Sequence, residues 1–134
     1  MKVLQIYALG RDIYWLKAVS EIANPGIRVQ AIFCPAGLPE CLDRLPPAAM
    51  HSLILIDAAG QIDLSDTLRR LRRQGWPGVA VVSPAPSWRD AYVVFREARH
   101  YDYWQKSYLP EVIRRNVDDY LLRMRQEADE DVAL

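Results

Sequence analysis

The run Ser52-Leu53-Ile54-Leu55-Ile56-Asp57 constrains this chain more than any other feature. Four consecutive apolar residues closed by a carboxylate describe a strand buried on both faces, the condition of a central strand in a parallel sheet. Such a strand needs cover on each side, and in parallel sheets the crossover helices supply it. The rest of the chain should then alternate short apolar runs with stretches of helical period, and it does.

Five strand-helix units fit. Residues 3–8 read as the first strand, and Trp15, Leu16, Val19, Ile22 and Ala23 share one helical face before Asn24-Pro25-Gly26 stops the helix. Residues 28–33 read as the second strand, followed by a short helix over 40–45 that ends at Pro46-Pro47, where the amide that helix continuation needs is missing. Leu64, Leu68 and Leu71 mark a third helix, Gly75-Trp76-Pro77-Gly78 a turn, and residues 79–83 a fourth buried strand. Ser87, three before Asp90, resembles a capping box, after which Trp88, Ala91, Tyr92, Phe95 and Ala98 line one helical face. Residues 101–106 read as the fifth strand, and Pro110 opens a last helix with the stripe Ile113, Val117, Tyr120 and Met124. The expected architecture is α/β, a doubly wound five-stranded parallel sheet in one domain over 1–126, with the acidic segment 127–134 as a flexible tail.

Composition excludes several function classes. With 17 basic and 17 acidic residues the net charge is zero, so no overall field draws the protein to nucleic acid or to an anionic membrane. Arg69, Arg70, Arg72 and Arg73 read as a solvated helix face, since no nucleic-acid-binding motif accompanies them; no direct nucleic-acid contact is expected. No apolar run approaches the roughly 20 residues that cross a bilayer, and the N-terminus lacks a signal-peptide pattern, so a cytoplasmic location away from membranes is expected. Cys34 and Cys41 match neither a CxxC motif nor a zinc-ligand spacing, and His51 and His100 stand apart from them. Both cysteines read as small apolar residues. Ala8-Leu9-Gly10-Arg11 fits neither a dinucleotide fingerprint nor a P-loop, and no nucleophile elbow or paired carboxylates appear. Neither a cofactor nor an enzymatic activity is expected.

In an open parallel sheet, ligands bind beyond the carboxyl ends of the strands. Asp57, Ser83 and Lys106 close the third, fourth and fifth strands, and so converge. These residues in their contexts, SLILID, VAVVSP and the run Asp102-Tyr103-Trp104-Gln105-Lys106 that matches a D-Y-x-x-K pattern, resemble the receiver domain of two-component response regulators. The resemblance covers nearly the whole chain. It implies a flavodoxin-like, CheY-like sheet in strand order 2-1-3-4-5. It also implies that Asp57 is the candidate phosphoacceptor, that Ser83 and Lys106 contact the phosphoryl group, and that Tyr103 is the switch aromatic. The usual output and dimerisation surface would be the face of helix four, strand five and helix five. Tyr101, Trp104 and Tyr108 are the interface candidates there, because aromatic residues favour interfaces.

The chain also departs from that pattern. Receivers end the first strand with two acids that hold Mg²⁺, and the aligned positions here are Tyr7 and Ala8. Asp12 is the nearest acid and reads as favouring the first helix's N-terminus. Ser107 stands where the family has a proline, and Ala58-Ala59-Gly60 replaces the usual proline-containing segment. Without a second acid Mg²⁺ is poorly held, and it is expected only alongside a phosphorylated Asp57. The expected function is an atypical receiver, a pseudo-receiver, that signals through a protein partner or a second copy with little or no phosphorylation. A histidine kinase is a further partner the resemblance implies. The alternatives are a phosphoacceptor receiver in a phosphorelay and a flavodoxin-like module for a small ligand.

Overall fold

The structure is a computed structural model and describes residues 2–59, 63–98 and 100–133, with 129–133 as backbone only. In chain order the elements are β1 (Leu4–Gly10), α1 (Ile13–Ser20), β2 (Ile27–Phe33), α2 (Leu38–Asp43) and β3 (Ser52–Asp57). They continue with α3 (Leu64–Arg73), β4 (Val79–Ser83), α4 (Trp88–Glu97), β5 (Asp102–Gln105) and α5 (Pro110–Ala133). The strands form one parallel sheet in the order β2-β1-β3-β4-β5, the doubly wound order expected from the sequence.

The pleat divides the core in two. Leu4, Ile6 and Ala8 of β1, with Leu53 and Leu55 of β3, point to one face, where Trp15, Leu16 and Val19 of α1 and Ile113, Val117 and Tyr120 of α5 cover them. Tyr7 and Leu9, with Ile54 and Ile56, point to the other, under Leu38 and Leu42 of α2, Leu68 and Leu71 of α3, and Val94 of α4. Every residue of β3 is buried, as SLILID requires. Burial of each such Leu or Ile stabilises the fold by roughly 1.5–3 kcal/mol before chain entropy is counted, so the sheet centre is its firmest part. Gly78 is needed where it stands, because the Tyr120 phenol occupies the space a Cβ would take. Burial there pushes the Tyr120 hydroxyl up to about 12.

Several elements differ from the sequence reading. β1 extends to Gly10, two residues past Ala8, because its ladder with β2 continues through Gly10↔Phe33. The last helix continues through the acidic segment to Ala133, so the part of 127–134 that is described is helical; Leu134 lies outside the described residues, as does Gly60. On α4 the aromatic set does not face the core: Trp88 is 82% exposed, Tyr92 59% and Phe95 51%. Val94 is buried instead, with Val93 and Ala98 packed beside it. Residues 88, 92 and 95 and residues 91, 94 and 98 both have helical spacing, and period alone does not choose between two such stripes. The cysteines, read as separate apolar residues, come together, since the fold returns α2 over the end of β2 and sets Cys41 against Cys34.

Candidate functional site

The sheet register assembles the site. Asp57 pairs with Val82, so Ser83 lies one residue further along β4; Ser83 pairs with Gln105, so Lys106 lies one residue beyond β5. The Lys106 amide donates to the Ser83 carbonyl at 2.8 Å, which continues the ladder for that one residue. On the other side Leu9 pairs with Ile56, which places Gly10 beside Asp57. A Cβ on Gly10 would lie 3.0 Å from the Asp57 Cβ, so the pocket wall at this point has no side chain and little room for one.

Lys106 holds the site together. Its Nζ donates to Asp57 Oδ2 at 2.8 Å and to Asp12 Oδ2 at 2.7 Å, with the lysine and Asp57 side chains only 5% and 4% exposed. A buried ammonium is tolerated only when paired, and here it has two carboxylates. Burial alone would lower the Lys106 pKa, but the hydrogen bonds it donates to Asp12 and Asp57 outweigh that and raise it above the usual lysine value.

Asp12 does two things at once. Its Oδ1 accepts from the amides of Tyr14 and Trp15 at 3.0 and 3.2 Å, the N-cap of α1. Its Oδ2 accepts from Lys106 and from the Tyr108 hydroxyl. Burial raises the Asp12 pKa, yet the bonds from Lys106, Tyr108 and the Trp15 amide prevail and hold it at about 2. The Tyr108 ring also lies 5.2 Å from the Lys106 Nζ, a cation–π contact at the mouth of the site. The bond to Asp12 raises the pKa of the Tyr108 hydroxyl.

The remaining sequence-derived residues fall in different places. Asp57 Oδ1 accepts from the Ala59 amide at 3.0 Å, and the Ser83 hydroxyl oxygen accepts from the Ala85 amide at 3.3 Å. Tyr103 is half-buried, and its hydroxyl accepts from the Ser87 amide at 3.2 Å, joining β5 to the α4 cap. In the same cap Ser87 Oγ accepts from the Asp90 amide. The Trp104 indole donates to Asp102 Oδ2, which also accepts from Arg123 of α5. Of the interface candidates, Tyr101 is corrected: it is 2% exposed and belongs to the core, where burial pushes its hydroxyl up to about 12. Trp104 packs partly on the α5 side of the core, and Tyr108 is exposed at the pocket.

The two positions read as those of the missing acid pair lie within the body of β1. Tyr7 lies within β1, edge-on to Trp76 at 5.5 Å, and Ala8 is fully buried on the opposite face. The residue beside Asp57 at the end of β1 is Gly10, which supplies no carboxylate. Sequence reasoning set Asp12 aside as a helix-end residue and did not see its second bond. The signal was the strand length, because a β1 that runs to Gly10 brings Asp12 to the sheet's carboxyl end. Two hollows of about 480 and 420 Å³ lie elsewhere, the first beside Glu21 and Arg114, the second beside His51 and Tyr120 at the opposite sheet end. Among the described residues no helix is long and apolar enough to cross a membrane.

No protein-family model and no curated protein matches the sequence. Solved structures do. A response regulator receiver protein from Pseudoalteromonas atlantica superposes with a TM-score of 0.67 at 16% identity, over 90% of this chain and 98% of the other. A BeF3-activated DrrB receiver domain gives 0.68 at 20% identity, over 89% and 97%. The signal receiver domain of an HD domain-containing protein from Pseudomonas fluorescens gives 0.65 at 14% identity, over 96% and 94%. At these identities the likeness is one of fold: the chain has the fold of response regulator receiver domains, from end to end of two of its solved counterparts.

Proposed function

We propose that this chain is a pseudo-receiver, a receiver-fold signalling module that acts through protein contacts with weak or no phosphorylation at Asp57. One observation carries the reading: Lys106 is held between Asp57 and Asp12, while the strand end beside Asp57 is Gly10. Mg²⁺ favours octahedral oxygen ligation that includes carboxylates. Here both Asp12 oxygens and both Asp57 oxygens already accept hydrogen bonds. Among the described residues no cluster of three metal-ligating side chains occurs. The donor set does not fit the ion, so no phosphoryl-transfer step is drawn through it.

The output side has the features of a partner surface. Trp88, Tyr92 and Phe95 form an exposed aromatic stripe on α4, next to the Tyr103–Ser87 link that ties the helix cap to β5. Exposed apolar stripes of this kind mark protein contacts. In this reading a protein partner or a second copy docks on the face of α4, β5 and α5, and the pocket biases that face through β5. The protein works without a bound cofactor and without catalysing a metabolic reaction.

The test is incubation with a small acyl phosphate and Mg²⁺, followed by intact-mass measurement beside a phosphorylatable receiver as the positive control. The expected result is no adduct under conditions that modify the control. An adduct that disappears in Asp57→Asn would overturn the proposal in favour of a working phosphoacceptor.

A further inference from the structure

Cys34 directly follows β2 and Cys41 lies in α2, and the fold brings the two side chains together with Cα atoms 5.6 Å apart. That spacing is within the about 4.4–6.8 Å that disulfides span without moving the backbone. Both side chains are buried, at 1% and 0% exposure, and both sulfurs face the Ile32 carbonyl. The segment between them, Pro35-Ala36-Gly37-Leu38-Pro39-Glu40, carries the chain from the end of β2 into α2. A second tie runs alongside, from the Arg44 guanidinium to the Phe33 carbonyl at 2.6 Å.

This fastening reaches the Asp57 pocket. The Cys34 amide donates to the Gly10 carbonyl at 2.9 Å, and Gly10 is the residue with little room for a Cβ against Asp57. A change in the position of Cys34 therefore acts on the one wall of the pocket that has no side chain to absorb it. We propose that Cys34 and Cys41 are a reversible thiol–disulfide pair that fastens α2 to the end of β2 and, through the Cys34–Gly10 hydrogen bond, sets the β1 wall of the Asp57 pocket.

The oxidant is a low-molecular-weight disulfide of the glutathione class. One cysteine thiolate attacks its S–S bond and releases one thiolate; the other cysteine thiolate attacks the protein sulfur of the mixed disulfide and releases the second. Two protein thiols are oxidised, one small disulfide is reduced to two thiols, and the protein's two protons end on them. Access comes from α2, which has six residues, of which Leu38, Cys41 and Leu42 are buried. Short elements with few buried contacts open locally ahead of the rest of a fold. Disulfides are rare in reducing compartments, so the pair there would stand mainly as two thiols and close under oxidation.

Only the link to signalling rests on the pseudo-receiver reading; the pairing and its effect on Gly10 do not. The test equilibrates the full chain in buffers of varying reduced-to-oxidised glutathione ratio, counts alkylatable thiols after denaturation, and records amide NMR spectra of the end states. The expected count is two in reducing buffer and none in oxidising buffer, without glutathione adducts. The Gly10, Cys34 and Asp57 amides should shift between the states by more than those of Ser52 and Val79 at the other sheet end. Thiols that stay alkylatable in oxidised glutathione would overturn the pair. A closed pair with unmoved Gly10 and Asp57 amides would overturn the coupling. Cys41→Ala should hold the reduced-state spectrum in both buffers; if that variant does not fold, the wild-type titration alone decides. None of these readouts involves phosphorylation, so failure here and failure of the pseudo-receiver reading are separable.

Discussion

On one side of Asp57, β4 and β5 bring Ser83 and Lys106 to the pocket from strand ends in register; on the other, β1 brings Gly10, and the nearest acid arrives from the α1 cap as Asp12. The first wall carries the residues on which the sequence resembles a receiver. The second lacks the acids and substitutes a carboxylate that is already committed to capping a helix and to holding Lys106. A cation-binding site needs carboxylates whose charge is available to an incoming ion, whereas this pair is neutralised in part by the protein's own ammonium. Two of the residues that make the site resemble a phosphorylation site, Asp57 and Lys106, are thus bonded to each other.

The largest expected effect comes from removing the group the two walls share. Lys106→Met leaves Asp12 and Asp57 as neighbouring acids without their cation, and should lower stability by about 3 kcal/mol in urea unfolding at neutral pH. A loss below about 1 kcal/mol would mean that the walls are joined by packing and that the ion cluster is incidental.

Asp12→Asn separates capping from charge, because asparagine caps a helix about as well as aspartate does. The Asp12 pKa is held at about 2, below its usual 3.8, so its stabilisation is present above roughly pH 4 and is lost as pH falls towards 2. The variant should lose on the order of 1–2 kcal/mol at pH 7 and flatten the stability profile between those values. An unchanged acid limb would show that the Asp12–Lys106 bond contributes little.

The smallest effect is expected on the wall that kept its pattern. Tyr103→Phe removes the hydroxyl that accepts from the Ser87 amide, an exposed bond, and should cost about 0.5–1 kcal/mol while shifting mainly α4 amides in NMR spectra. Shifts that instead centre on Asp57 would show that the two walls communicate more strongly than their separate construction implies.

The contrast also explains what could be read from the sequence. Strands flanked on both sides by apolar helices leave a strong signature, so SLILID and VAVVS located β3 and β4, and with them Asp57 and Ser83. The strand order followed from the resemblance that those residues carried. β1 was harder to bound, because its last residues, Leu9 and Gly10, continue the ladder beyond the alternating run that marks a strand. That difference hid Gly10 as the neighbour of Asp57, and hid Asp12. The aromatic stripe on α4 was misassigned for a related reason: a helix with two stripes of the same period does not declare which one is inside. Tyr101 was read as surface within an aromatic cluster that the sheet in fact splits between core and solvent. Contacts that follow no helical or strand period, such as Cys34 with Cys41 seven residues on or Lys106 with the distant Asp12, leave no pattern in the sequence.

The central claim is that the Asp57 pocket is held shut by Lys106 between two acids and does not operate as a phosphorylation switch. A two-dimensional amide NMR titration with beryllofluoride and Mg²⁺, repeated on Asp57→Ala, tests it most directly. The account predicts spectra that stay unchanged in both proteins. Shifts that spread from Asp57 through Lys106 to Tyr103 and vanish in Asp57→Ala would contradict it.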